Sequence, residues 1–386
     1  MSISQRTLTS CLLSVTGAVC FVQAAPASRP PSTRGGCSRV VFNLPVTAEN
    51  YVFVRPPDPN SEPSIQAFIV DFFTTGPDKF IIGTHTVNET FAVNAVYCKP
   101  TRKTKHRNTL QILIHGITYN STMWSGYGFG DQYNWHAHAN RAGYHTLAID
   151  RLGHGLNSRS YDPTSIIQTP LHIETHHQLV TALRTSKSNP LSRTFSKIIL
   201  VGHSYGSVLI TAQARRYPSD ADVLILTGFS NFVSGGTVVL EFEPAAIHDA
   251  SRFPSVPYGY LVFQNKDDRD GFYHPGHHDP AIAAHDFAWE DIVTTGEFAS
   301  SSGDAMWGAA KGYRGKVLVV TGVYDREFCV PSVEECEGIL KGTVEGLFPD
   351  RERGGYVAVR DAAHDLTLHY SAEETFERVI GIVGGW

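Results

Sequence analysis

Six short, almost unbroken apolar runs punctuate the chain: 110–115 (LQILIH), 145–150 (HTLAID), 197–203 (KIILVGH), 221–227 (ADVLILT), 316–321 (KVLVVT) and 355–360 (GYVAVR). Runs this short that are apolar at successive positions predict strands covered on both faces. Helix-like segments lie between them, at 171–185, 205–217 and 372–383. Strand, helix, strand, helix predicts an α/β fold with a mostly parallel, doubly wound sheet and right-handed crossovers. The stretch 37–104 has another rhythm. Its β-type runs at 40–46 (VVFNLPV), 80–87 (FIIGTHTV) and 91–98 (FAVNAVYC), with the stiff polar loop 56–64 (PPDPNSEPS), predict an N-terminal antiparallel β-extension.

The rhythm fails once more, after Thr227. Up to Lys316 no core-type strand is legible, and aromatic residues are dense, among them Phe229, Phe242, Phe263, Phe272, Tyr273 and Phe298. A structureless loop of that length is improbable inside a compact domain. Residues 229–305 therefore read as an inserted, partly helical lid or cap between two parts of one core, 105–228 and 306–386.

The first residues do not belong to the fold. Arg6, a dozen-residue apolar run at 11–22 and small residues at Val22 and Ala24 have the order of a secretory signal peptide over 1–24. The Pro/Gly/Ser-rich segment 25–36 reads as a linker. No other stretch is long and apolar enough to span a bilayer, so stable membrane insertion is not expected. Loss of Cys11 and Cys20 with the leader leaves Cys37, Cys98, Cys329 and Cys336, an even number that suits an oxidising compartment. Three pairings are possible. Cys37–Cys98 with Cys329–Cys336 is preferred, because it ties the N-terminal segment to the β-region and closes one short local loop. The spacings do not fit a zinc site. Asn88 and Asn120 head Asn-X-Thr sequons, of which Asn88 is the better glycan acceptor because Asn120 lies near the presumed site.

Composition narrows the partners. Charged residues make up 18% of the 386, against roughly 25% in ordinary soluble domains, and hydrophobic residues 42%, enough for a sizeable core. The net charge is −5, with no long basic run, which excludes nucleic-acid binding by phosphate neutralisation.

The chemistry is carried by Gly202-His203-Ser204-Tyr205-Gly206. A bare G-x-S-x-G is a weak signal. Here an apolar strand leads into it and a helix-compatible run follows, the setting of a nucleophile elbow. Ser204 is the candidate nucleophile. It needs a base, because a neutral hydroxyl attacks poorly. In this arrangement the acid and the histidine follow the serine in that order. Asp325 ends KVLVVTGVYD and His364 ends GYVAVRDAAH, each just past a strand. Loops at the carboxyl ends of parallel strands converge, so His364 is assigned as base and Asp325 as its orienting acid. His369, Asp361 and Asp365 are the near competitors. His203 reads as structural, and residues 150–158 (DRLGHGLNS) as scaffold. The oxyanion donors are expected from the N–H groups of Tyr205 and Ile117, the latter in the loop after LQILI. Trp124 and Tyr127 are candidate substrate-lining residues. His274, His277, His278 and Asp279 read as a polar lid loop rather than a metal site, and no metal is assigned.

These pieces resemble the α/β-hydrolase fold serine hydrolases. The matching stretches are LIHG (113–116), AIDRLGHG (148–155), VGHSYG (201–206), VVTGVYD (319–325) and DAAHD (361–365), in the family's order from about residue 105 onward. In detail the chain is similar to secreted fungal members encoded beside secondary-metabolite genes. The resemblance implies esterase-, lactonase- or thioesterase-like chemistry with no metal or organic cofactor. The expected function is secreted hydrolysis of an ester or lactone of an apolar small molecule through an acyl-enzyme. Two alternatives share the scaffold: an acyltransferase, lyase or cyclase step, or a non-catalytic ligand-binding homologue. Epoxide hydrolysis is disfavoured, since it requires a carboxylate where Ser204 stands.

Overall fold

A computed structural model describes residues 36–75, 79–232, 241–301, 307–329 and 332–386. The leader and nearly all of the linker segment expected at 25–36 lie outside these residues.

The expected strands form one eight-stranded sheet. Its members are β1 (Cys37–Phe53), β2 (Ile81–Cys98), β3 (Thr109–Ile114), β4 (His145–Ile149), β5 (Lys197–His203), β6 (Val223–Thr227), β10 (Lys316–Gly322) and β11 (Arg353–Val359). They run in the order β1-β2-β4-β3-β5-β6-β10-β11. From β4 through β11 every pairing is parallel, while β1 pairs β2 and β2 pairs β4 antiparallel. This is the α/β-hydrolase fold, with a mostly parallel sheet.

The apolar runs are continuous because each successive side chain enters a different core. Ile112, Ile198, Leu200, Leu224, Leu226, Val317 and Val319 face one layer. That layer is built with α3 (Thr169–Thr185), α4 (Tyr205–Arg216) and α9 (Val333–Leu347). Leu113, Ile199, Val201, Ile225, Leu318 and Val320 face the other, built with α2 (Trp135–Arg141) and α10 (Ala372–Gly384). Side chains that alternate across a sheet buried on both faces give this pattern.

The N-terminal region differs from expectation in two ways. β1 and β2 are long single strands paired over their whole length, not short runs, and they extend the main sheet. Along β1, Phe42, Leu44, Val46 and Ala48 turn inward while their neighbours face solvent. The second difference is a helix, α1 (Glu62–Thr75), where only strands and a loop were expected. Phe68 and Phe72 of α1 pack on Phe53 and Phe80, with the Phe68 and Phe80 rings 4.9 Å apart. The Pro-rich approach to this short helix hides its spacing.

Between β6 and β10 lies a second, three-stranded antiparallel sheet, which the sequence reading did not foresee. It consists of β7 (Phe242–Pro244), β8 (Tyr260–Phe263) and β9 (Val293–Thr294). With it come the short helices α5 (Ala245–His248), α6 (Lys266–Asp270), α7 (Pro280–Ala288) and α8 (Thr295–Ser300). No helix among the described residues is long and apolar enough to cross a membrane.

Two disulfides join Cys37 to Cys98 and Cys329 to Cys336. The first pins the register pair at the open end of β1 and β2. The second ties the loop after β10 to the first turn of α9.

Candidate active site

Strand order places the site. β3, β5, β6, β10 and β11 are consecutive neighbours and run in the same direction. The loops leaving their carboxyl ends therefore meet at one edge. Ser204 leaves β5, Asp325 follows β10 and His364 follows β11.

Ser204 has φ of 53°, a conformation that side chains other than glycine rarely adopt. The turn persists because its surroundings leave no room to relax. Ser204 N–H donates to the Thr227 carbonyl on β6 at 2.9 Å, and Ser207 Oγ donates to the same oxygen at 3.0 Å. A Cβ at Gly206 would lie 2.2 Å from the Ile114 carbonyl oxygen on β3. Only a glycine lets α4 start this close to the sheet. Gly206→Ala is expected to lower stability by about 1–3 kcal/mol through the displaced backbone. Thermal unfolding checks this; an unchanged melting temperature would mean that the turn has slack.

Asp325 is held from both sides. Its Oδ1 accepts the N–H groups of Glu327 and Phe328 at 2.9 and 3.1 Å, and its Oδ2 lies 2.9 Å from His364 Nδ1. The imidazole is packed by the rings of Phe272 at 4.7 Å, His203 at 5.1 Å and Phe328 at 5.7 Å. Burial works against the imidazolium. The Asp325 charge and hydrogen bond, with Asp365 and Glu327, outweigh it and lift His364 to about 9. No hydrogen bond joins Ser204 Oγ to His364 among the described residues. Base-to-nucleophile contacts are often long in empty sites and tighten around substrate.

The loop after β3 passes directly beside the serine: a Cβ at Gly116 would sit 3.0 Å from Ser204 Cβ. Ile117 is thus close to the turn, and Tyr205 opens α4, whose first N–H groups have no partners within the helix. Ser204 is 8% exposed and His364 2%, so solvent reaches little of either. A cavity of about 260 Å³ is lined by Asp325 with Tyr273, His274, Pro275, Tyr324, Arg326 and Cys329. It does not reach Ser204.

Several candidates occupy other places. Trp124, expected to line the pocket, is fully buried edge-on against Trp135, so its apolar area goes into the core. The Tyr127 hydroxyl donates to Asp286 in α7 at 2.6 Å. The competitor His369 has both ring nitrogens occupied: Nε2 accepts from the backbone of His274 and Ala363, and Nδ1 faces the Asp365 carbonyl at 2.8 Å. Asp361 is exposed, 3.7 Å from His277. The His274 ring stacks between His277 and Tyr324. Asn88 is exposed on β2, whereas Asn120 Nδ2 donates to buried Asp291 at 2.9 Å.

The burial and pairing of a set of charges around these loops, Asp365 and Arg151 among them, were not legible in the sequence. Asp365 is fully buried and accepts from the Tyr119 hydroxyl, with its other oxygen 3.3 Å from His203 Nε2. Arg269 of α6, without solvent exposure, lies 4.1 Å over the Tyr119 ring and pairs with Asp286 at 2.7 Å. Arg151 pairs with Glu297 of α8, and both are buried. No spacing signal marks such residues, since charged side chains are rarely this buried and pair only across the fold.

The sequence pattern of the Alpha/beta hydrolase family matches residues 111–378. No curated protein sequence matches the chain. Among solved structures, one described as "Lipase (Open form)" is similar with a TM-score of 0.51 at 16% identity, over 76% of this chain and 94% of that one. A monoacylglycerol lipase of Paleococcus ferrophilus gives 0.48 at 16% identity, over 75% and 98%. Est1E from Butyrivibrio proteoclasticus, with ferulic acid bound, gives 0.47 at 15% identity, over 76% and 95%. At 16% identity the likeness to the open-form lipase speaks to the fold alone.

Proposed function

We propose, from the premise that the chain belongs to the alpha/beta hydrolase family, that it is a serine hydrolase cleaving an ester or lactone of an apolar small molecule. The observation that carries this reading is the Asp325–His364 hydrogen bond at the sheet edge where Ser204 holds its strained turn. Ser204 Oγ attacks the carbonyl carbon as its proton passes to His364 Nε2. The carbonyl oxygen becomes an oxyanion, received by the N–H groups of Tyr205 and Ile117. His364 then protonates the departing alkoxide, the C–O bond breaks, and an acyl-enzyme remains. Water that loses its proton to His364 attacks that ester and returns the serine with a free acid. Asp325 keeps the ring oriented and stabilises its charge.

The aromatic surroundings support an apolar substrate. The Phe328 ring lies against His364 and against Phe229, and Phe229 stacks on Trp307. The aromatic residues of 241–301, Phe272 at 4.7 Å from the His364 ring among them, support reading the insertion as a cap over this edge. Two disulfides and the apolar leader favour export, with Asn88 as the glycan acceptor, since the Asn120 amide is engaged in the fold. Acyl transfer is the second reading, because the same acyl-enzyme can be resolved by an alcohol hydroxyl in place of water. Product analysis with and without an alcohol acceptor separates the two.

A fluorophosphonate probe tests the central assignment. Wild type is expected to label at one serine, and Ser204→Ala to remain unlabelled with an unchanged melting temperature. Equal labelling of the two would remove Ser204 as the nucleophile.

A further inference from the structure

We infer that Arg151 and Glu297 are positioning residues for the oxyanion pocket, and that the segment between β6 and β10 thereby builds part of that pocket. The inference rests on reading the Ile117 N–H as an oxyanion donor. Arg151 Nη2 donates to the Gly116 carbonyl at 3.0 Å. That carbonyl shares one planar trans peptide with the Ile117 N–H, and the two point in opposite directions. Whatever fixes the oxygen fixes the aim of the N–H. The grip is doubled. Arg151 N–H donates to His115 Nε2 at 3.0 Å, which leaves the ring proton on Nδ1, 2.9 Å from the same Gly116 oxygen. Burial and the Arg151 charge hold His115 well below its ordinary value, in keeping with a neutral ring in that tautomer.

Arg151 also reaches the second donor. Its guanidinium lies 4.8 Å over the ring of Tyr205, whose hydroxyl is bonded to Thr169 at 2.7 Å. One buried cation therefore holds the peptide that carries the Ile117 N–H and lies over the side chain of Tyr205, the other assigned donor.

A guanidinium without solvent exposure requires a counter-charge. Glu297 supplies it from α8. One carboxylate oxygen takes Arg151 Nη1 and lies 2.9 Å from His172 Nε2; the other accepts Thr294 N–H at 2.9 Å, closing the capping box of the helix. The same segment holds the loop one residue further on. Thr118 N–H donates to Ile292 O at 2.9 Å, Asp291 N–H donates to Thr118 O at 2.8 Å, and Arg269 donates to the Thr118 hydroxyl. Residues 116–118 are thus clasped from outside the parallel core by Arg269 and by residues 291–297.

The test separates positioning from mere support. Glu297→Gln is expected to lower kcat on a short-chain p-nitrophenyl ester by about 100-fold, the scale of a small misplacement of reacting groups, with KM within about twofold. Affinity for a trifluoromethyl ketone, which forms a tetrahedral adduct on the serine, should fall by the same factor, and affinity for the product carboxylate should hold. Arg151→Lys keeps the buried charge but loses the fork, and serves if Glu297→Gln does not fold; the same split is expected at about 10-fold. Two folded variants with wild-type kcat and ketone affinity, or with only a lowered melting temperature, would overturn the inference. Absence of fluorophosphonate labelling in wild type would instead overturn the serine mechanism itself.

Discussion

His364→Gln is expected to lose about 10⁴–10⁶-fold in kcat on any ester the wild type cleaves, with little change in KM. Ser204 at neutral pH is almost wholly protonated, and His364 is the imidazole that Asp325 holds at this edge, whereas His203 is turned to Asp365. Glutamine approximates the ring's volume and retains a donor toward Asp325, so the loss reports chemistry rather than an orphaned buried carboxylate. Replacement by alanine would confound the two, because Asp325 would be left buried without its partner. Steady-state rates with a parallel melting curve decide the matter. A folded variant retaining a tenth of the wild-type rate would exclude His364 as the base.

Asp325→Asn is expected to reduce kcat by about 10⁴-fold and, independently, to move the pH profile. Hydrolysis requires the neutral ring. With His364 lifted to about 9, wild-type kcat/KM should climb through neutral pH and level off near that value. Burial alone pushes the imidazole down, and Asp325 is the first group that pushes it up. Removing that charge should shift the rising limb toward lower pH while the plateau collapses. Stability follows the opposite course. A histidine raised in the folded state contributes stability that is full below about 6.5 and is lost as pH rises through about 9. Wild type should therefore unfold more easily as it becomes more active, and Asp325→Asn should flatten that dependence. A wild-type rate limb centred near 6.5 would show that the carboxylates around His364 do not act on it as the geometry suggests.

The parallel core was legible because burial on both faces leaves a local mark. KIILVGH and KVLVVT could be placed as strands by composition alone, and chain order then put Ser204, Asp325 and His364 each just past a strand. α1 was not legible: its apolar stripe is brief and flanked by prolines, and what it covers, Phe53, Phe80 and Ala299, lies far from it in the chain or beyond the intervening loop. The small sheet of β7, β8 and β9 escaped notice because its strands are two to four residues long, below any periodic signal. Trp124 looked like a pocket residue, but a large aromatic near a catalytic loop carries no mark that distinguishes lining from core. Its place against Trp135 is decided by the packing of α2.

By itself, the amino-acid order determined the six core strands, their alternation with helices and the residues that stand at their carboxyl ends, because two-sided burial makes successive positions of a strand apolar and a helical crossover imposes a parallel return. The tertiary structure alone decided which charges enter the interior. Arg151 meets Glu297 across 146 positions, and Arg269 reaches Thr118 across 151. A buried charge is tolerable only when its partner arrives with it, and that partner is chosen by the path of the whole chain, not by any local pattern.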